Sequence, residues 1–131
     1  MGSVEGRSIV SAIASDSYHL APLLQDLDVE EFWLLLMNQH HRLIKKVRIA
    51  HGGITEVSVD IRIVIREAVL SNATIIAVCH NHPSGNIAPS RMDDQLTQSL
   101  KNACQVMRIH FLDHVVIADG CYYSYHEEGK L

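Results

Sequence analysis

The chain predicts an α/β domain built on one central, mostly mixed β-sheet, and three observations carry that expectation. Short apolar runs of strand length alternate with stretches of helical periodicity, the pattern of an α/β sandwich. The run "ATIIAVC" (73–79) is apolar, brief and bounded by turn residues, which suits a strand buried on both faces. Near the end, two further apolar runs meet at Asp119-Gly120, a dipeptide that favours a tight hairpin turn.

The elements follow in order. Residues 4–14 predict a short helix, and "SDSYHLAPLLQDLD" (15–28) predicts helix interrupted at Pro22, so 1–28 is expected to be a helical lead-in to a domain at 29–131. "EEFWLLLMN" (30–38) is short, aromatic and almost wholly apolar; it predicts a strand that turns at "NQHHR" and returns as "LIKKVRIAH" (43–51). Gly52-Gly53 interrupts the chain, and "TEVSV" (55–59) alternates like a third strand. "DIRIVIREAVLSNA" (60–73) sets Ile61, Val64, Ile65, Ala68 and Val69 on one helical face, with Asp60 at the N-cap position. After "ATIIAVC" and its loop, Ser90 and Asp93 have capping-box spacing, and Leu96, Leu100, Ala103 and Cys104 continue an apolar helical stripe. "RIHFLDHVVIADGCYYSY" (108–125) closes the order as two strands.

Composition narrows the function classes. A chain of 131 residues fits one domain with one core, and 47% apolar residues exclude a disordered chain. A formal charge of −4 gives no electrostatic footprint for nucleic acid, although "HRLIKKVR" (41–48) is a small basic stretch. No apolar run is long enough to span a bilayer, and "MGSVEGRSIV" lacks the basic and apolar segments of an export signal. Three cysteines (Cys79, Cys104, Cys121) form no CxxC, so reduced thiols in a cytoplasmic protein are expected.

Chemistry concentrates in "AVCHNHPSGNIAPSRMDD" (77–94). His80 and His82 are two apart, so at the end of a strand both imidazoles leave the same face. Asp93 can join them when the loop folds back, with Pro83 and Pro89 lowering the entropy of the closed loop and Gly85 permitting a tight reversal. Two imidazoles and one carboxylate would hold a zinc ion (Zn2+) and leave a fourth position for water, the arrangement of hydrolytic sites. The same letters also describe an ordinary proline turn followed by a capping box, and residue types alone leave both readings open. A zinc deaminase would require a PCxxC segment, which the chain lacks.

The stretch "HNHPSGNIAPSRMDD" resembles the His-x-His, seven residues, Ser-x-x-Asp pattern of JAMM (MPN+) metallopeptidases, and more closely the RadC branch. His80, His82, Ser90 and Asp93 fall on it without a gap, and the likeness runs from about residue 29 to 128 through "EEFWLLLMNQHHRLI", "IREAVLSNA" and "FLDHVVIADGCYYSYHEEG". The resemblance implies a JAB/MPN-type, cytidine-deaminase-like α-β-α fold. It implies zinc on His80, His82 and Asp93 and hydrolysis of peptide or isopeptide bonds in a peptide or protein substrate. Glu30 would act on the water, with Glu31 facing the other side of the strand, and Ser90 would stabilise the oxyanion. The family label also implies an alternative, a non-catalytic zinc-binding module in DNA repair or recombination. A purely structural zinc site would need no oxyanion donor such as Ser90.

Two departures are expected to matter. Ile61 stands where RadC-like proteins usually carry a proline, which should touch the start of a helix rather than the chemistry. The helical region resembling helix-hairpin-helix modules that precedes the domain in longer members has no room here, so a fragment or a short member is expected, and strong DNA binding by this domain is not. Asp94 is expected as a helix-start carboxylate favoured by the helix dipole rather than a ligand. His114, inside an apolar strand, is expected as a satisfied core histidine, and Cys79 as a small buried hydrophobe on the face opposite His80.

Overall fold

The computed structural model describes residues 28–52 and 59–131. Among the described residues, five strands and two helices follow one another as β1 (Glu31–Met37), β2 (Leu43–His51), α1 (Ile61–Leu70), β3 (Ile75–Asn81), α2 (Arg91–Met107), β4 (His110–Ala118) and β5 (Cys121–Ser124). The sheet order is β2-β1-β3-β4-β5. Among these strands β3 and β4 run parallel, joined by the crossover helix α2, and the other neighbours are antiparallel. The sheet is mixed and the domain α/β, as expected. The predicted lead-in helices, apart from Asp28, and "TEVSV", apart from Val59, lie outside the described residues.

Pattern explains position. β3 is buried at all seven residues, and it sits in the middle of the sheet where its unbroken apolar run requires it to be. Leu34, Leu36, Ile76 and Val78 face α1 and α2, which contribute Val64, Ala68, Leu100 and Cys104 to the same core. The alternate residues Leu35, Met37, Ala77 and Cys79 bury the other face together with Val115 and Ile117. Each Leu, Ile, Val or Met side chain among them contributes roughly 1.5–3 kcal/mol when taken fully out of water. Cys79 is therefore a core residue, as expected, and burial pushes its thiol up to about 12.

The turns follow their chemistry. Asp119 (φ 41°) and Gly120 (φ 77°) both take the left-handed region that a two-residue hairpin needs, and Ala118 pairs with Cys121 across it. The side chain of Asp60 caps α1 by accepting from the Arg62 backbone N–H at 2.9 Å. Ile61 is thus the first helical residue, the position where proline is readily tolerated, so its departure from the family pattern leaves the helix start intact. One expectation needs correction. Val69 is 51% exposed, because eight residues on from Ile61 the helix has turned it away from the sheet, and only Val64 and Ala68 are fully buried on α1.

Candidate metal centre

The site forms where β3 ends and α2 begins, at the carboxyl end of a parallel strand, a place where open α/β sheets characteristically bind ligands. His80 is the penultimate residue of β3, and His82 follows just beyond the strand's end. The loop then reverses, with Gly85 at φ 85°, and delivers Ser90 as the N-cap of α2. The capping box is complete. The Asp93 backbone N–H donates to Ser90 Oγ at 3.0 Å, and the Ser90 N–H donates to Asp93 Oδ2 at 2.8 Å. The device that starts the helix therefore also aims the Asp93 carboxylate at the two imidazoles.

Three donors converge. His80 Nε2 and His82 Nε2 are 3.0 Å apart, His82 Nε2 is 3.2 Å from Asp93 Oδ2, and His80 Nε2 is 3.3 Å from Asp93 Oδ1. Nitrogen and oxygen ligands at ordinary zinc distances stand about 3.3–3.5 Å from one another around a tetrahedral ion. Each of these separations has that size to within a few tenths of an ångström, with the two imidazoles meeting different oxygens of one carboxylate, and one ligand atom from each residue lies within 4.8 Å of the others. The opposite nitrogens are engaged elsewhere: His82 Nδ1 lies 2.7 Å from the Asn86 carbonyl and His80 Nδ1 lies 2.9 Å from His114 Nε2. The cluster could hold a metal ion.

Electrostatics separate the three groups. Burial lowers the His80 pKa despite the hydrogen bond to Asp93. The hydrogen bond to Asp93 raises that of His82, with smaller help from the Asn86 carbonyl and the Glu30 charge. Burial alone would raise the Asp93 carboxyl, but hydrogen bonds with His80 and His82 hold it well below the usual carboxylate range, so it stays an anionic donor.

A cleft of about 610 Å³ opens over the cluster, its wall including Glu30, Phe32, His80, His82, Ser90 and Asp93. β1 brings Glu30 there. Phe32 pairs with His80 in the antiparallel register, so Glu30, two residues earlier in the chain, reaches the level of His82. The Asn81 side chain grips the chain on both sides of Glu30, accepting from the Glu31 N–H at 2.7 Å and donating to the Val29 carbonyl at 3.0 Å.

A model of the RadC-like JAB domain matches residues 11–130. The chain belongs to the RadC-like JAB domain family. Curated relatives agree: it is 38% identical over 110 residues to a UPF0758 protein of Flavobacterium johnsoniae, covering 84% of this chain and 48% of that one. It is 41% identical over 113 residues to a UPF0758 protein of Porphyromonas gingivalis (86% and 50%), and 42% identical over 106 residues to one of Haemophilus ducreyi (79% and 48%). The chain spans about half the length of these relatives.

In this RadC-like domain the expected residues separate cleanly. His80, His82 and Asp93 come together, while Glu30 and Ser90 line the same cleft. Glu31 points away: it accepts from Trp33 Nε1–H at 3.0 Å and pairs with Arg48 at 3.2 Å. Asp94 is exposed and accepts from the Tyr125 hydroxyl at 2.7 Å. His114 is fully buried behind His80, outside the donor triangle. The reading of single residues missed Asn81 and Thr97. Asn81 is visible in the sequence only as the middle letter of His-x-His, and Thr97 only as a polar residue on the apolar stripe of α2. Among the described residues no helix is long and apolar enough to cross a membrane.

Proposed function

We propose that this domain is a zinc-dependent hydrolase of peptide or isopeptide bonds. The observation that carries the reading is the buried Glu30 carboxylate in the same cleft as the His80, His82 and Asp93 donors. A zinc ion held by those three residues would polarise a substrate carbonyl and lower the pKa of water there towards ~7. Glu30 takes a proton from the attacking water and returns it to the leaving amine. Ser90 accepts the Asp93 N–H through an oxygen lone pair, so that bond does not consume its hydroxyl proton, which can be donated to the oxyanion. Phe32, stacked on the His80 ring with centroids 5.9 Å apart, keeps water from one flank of that imidazole.

A module that only stored zinc would need no carboxylate held over the donors. Nor does the formal charge of −4 favour a nucleic-acid partner; we expect a peptide or protein substrate in the cytoplasm, and duplex DNA titrated at two salt concentrations should bind weakly at both. The test combines elemental analysis with turnover. Protein purified in zinc-containing buffer should hold close to one equivalent and release fluorophore from a pool of amide- and Lys Nζ-linked peptides. Zinc uptake without turnover of any member would favour the storage module, and absence of uptake would remove both readings.

A further inference from the structure

We infer that Thr97 and His114 are positioning residues of the metal centre, a buried relay that dictates which ring nitrogen of His80 is left bare for a cation. The inference rests on the metal reading above and adds to it two residues outside the donor set. The relay is a chain of three short contacts. His80 Nδ1 lies 2.9 Å from His114 Nε2, and His114 Nδ1 lies 2.6 Å from Thr97 Oγ1. Thr97 Oγ1 in turn donates to the Asp93 carbonyl at 2.8 Å.

Proton accounting gives the chain one direction. A hydroxyl has a single proton, and Thr97 places it on the Asp93 carbonyl one helical turn back. Its oxygen can then only accept, so His114 carries its proton on Nδ1. His114 is fully buried and its two ring nitrogens meet a hydroxyl and an imidazole rather than a carboxylate, the setting of a neutral ring with one N–H. Its Nε2 must therefore accept, so His80 donates from Nδ1 and keeps a lone pair on Nε2. That nitrogen faces His82 and Asp93.

An ordinary ligating histidine donates its second N–H to a carboxylate or carbonyl, which can only accept and so fixes the tautomer unaided. An imidazole partner can donate or accept, so a further group must decide, and Thr97 is that group. The rings have little room to swing: His114 stacks on Tyr125 (4.9 Å, 12°) and meets the edge of Phe32 (5.8 Å, 71°). The relay also returns to Asp93, so it ties two ligands on different elements into one ring of bonds. If Thr97 instead donated to His114, every link would reverse and His80 Nε2 would bear the proton.

Two measurements decide it. Zinc affinity is read at one fixed pH by competition with a chromophoric chelator, in the wild type, Thr97→Val and Thr97→Ser. Loss of the hydroxyl at constant shape should weaken zinc about 10-fold, within the range for such supporting bonds, and Thr97→Ser should restore most of it. In parallel, ring ¹⁵N shifts in the wild type, with and without zinc, should show His114 protonated on Nδ1 and bare on Nε2. Equal zinc affinity in a folded Thr97→Val overturns the relay. So does His114 protonated on Nε2, which holds even if the valine variant fails to fold. A wild type that takes up no zinc defeats the metal reading instead, and the His114 assignment then still judges the relay.

Discussion

Two carboxylate–imidazole clusters lie on opposite sides of the start of β1, one residue apart in sequence. Glu30 is buried in the cleft with His80 and His82. Glu31 lies on the other side, 3.2 Å from Arg48 and 3.7 Å from His51 on β2. The residue types are alike and the outcomes differ. At Glu31 the partners are half in water, an ion pair of the kind worth roughly 0–1 kcal/mol. At Glu30 the neighbours are donors held rigid by a strand end and a capping box, where water is scarce and charge interacts strongly. Strand alternation alone produces the difference, because a one-residue shift exchanges the faces.

The largest effect that would break this comparison is removal of the metal donors. A His80→Ala, His82→Ala double variant should lose bound zinc altogether by elemental analysis, since Asp93 alone cannot hold it. Retention of one equivalent would place the metal elsewhere. Glu30→Gln should keep the zinc and lower turnover of a cleaved amide by about 10²–10⁴-fold, the usual contribution of a general base. Unchanged turnover would assign proton transfer to another group.

Asn81 sharpens the contrast at the next level down. It is buried, and its amide is satisfied by the backbone on either side of Glu30. Asn81→Ala leaves the half-buried Glu31 N–H and Val29 carbonyl in want of partners, at no more than about 1–3 kcal/mol each. A drop in Tm with zinc retained, and a fall in kcat larger than any change in KM, is the expected result. A variant with full kcat would show that Glu30 holds its place without the clamp.

Legibility followed sequence distance. His80, His82, Ser90 and Asp93 span fourteen positions of one loop, and fixed spacing on a strand end and a helix start places them together. β3 and the β4–β5 hairpin were legible for a similar reason, since an apolar run and an Asp-Gly turn are local signals. Glu30 was assigned only through family resemblance, because both faces of "EEFWLLLMN" are apolar and alternation cannot choose between them. The supporting bonds were not legible at all. Thr97 meets His114 from 17 residues away, His114 meets His80 from 34, and Asn81 reaches Val29 from 52. A threonine on an apolar helical stripe and a histidine in an apolar strand look like packing until the fold sets them side by side.

The smallest expected effect tests the other half of the comparison. Glu31→Gln removes the charge opposite Arg48 but keeps a carbonyl that can accept the Trp33 indole N–H, now at 3.0 Å from the carboxylate. Arg48 is half exposed and can turn to water, so the lost pair should cost no more than about 1 kcal/mol. Zinc content and turnover should match the wild type, because the Glu31 side chain is not part of the cleft wall. Loss of hydrolysis in Glu31→Gln, with Glu30→Gln active, would mean that β1 presents its other face to the site and that the register of this strand is shifted by one residue. With both variants inactive, the two faces would be coupled through Asn81, which bonds the backbone of Glu31 while flanking Glu30.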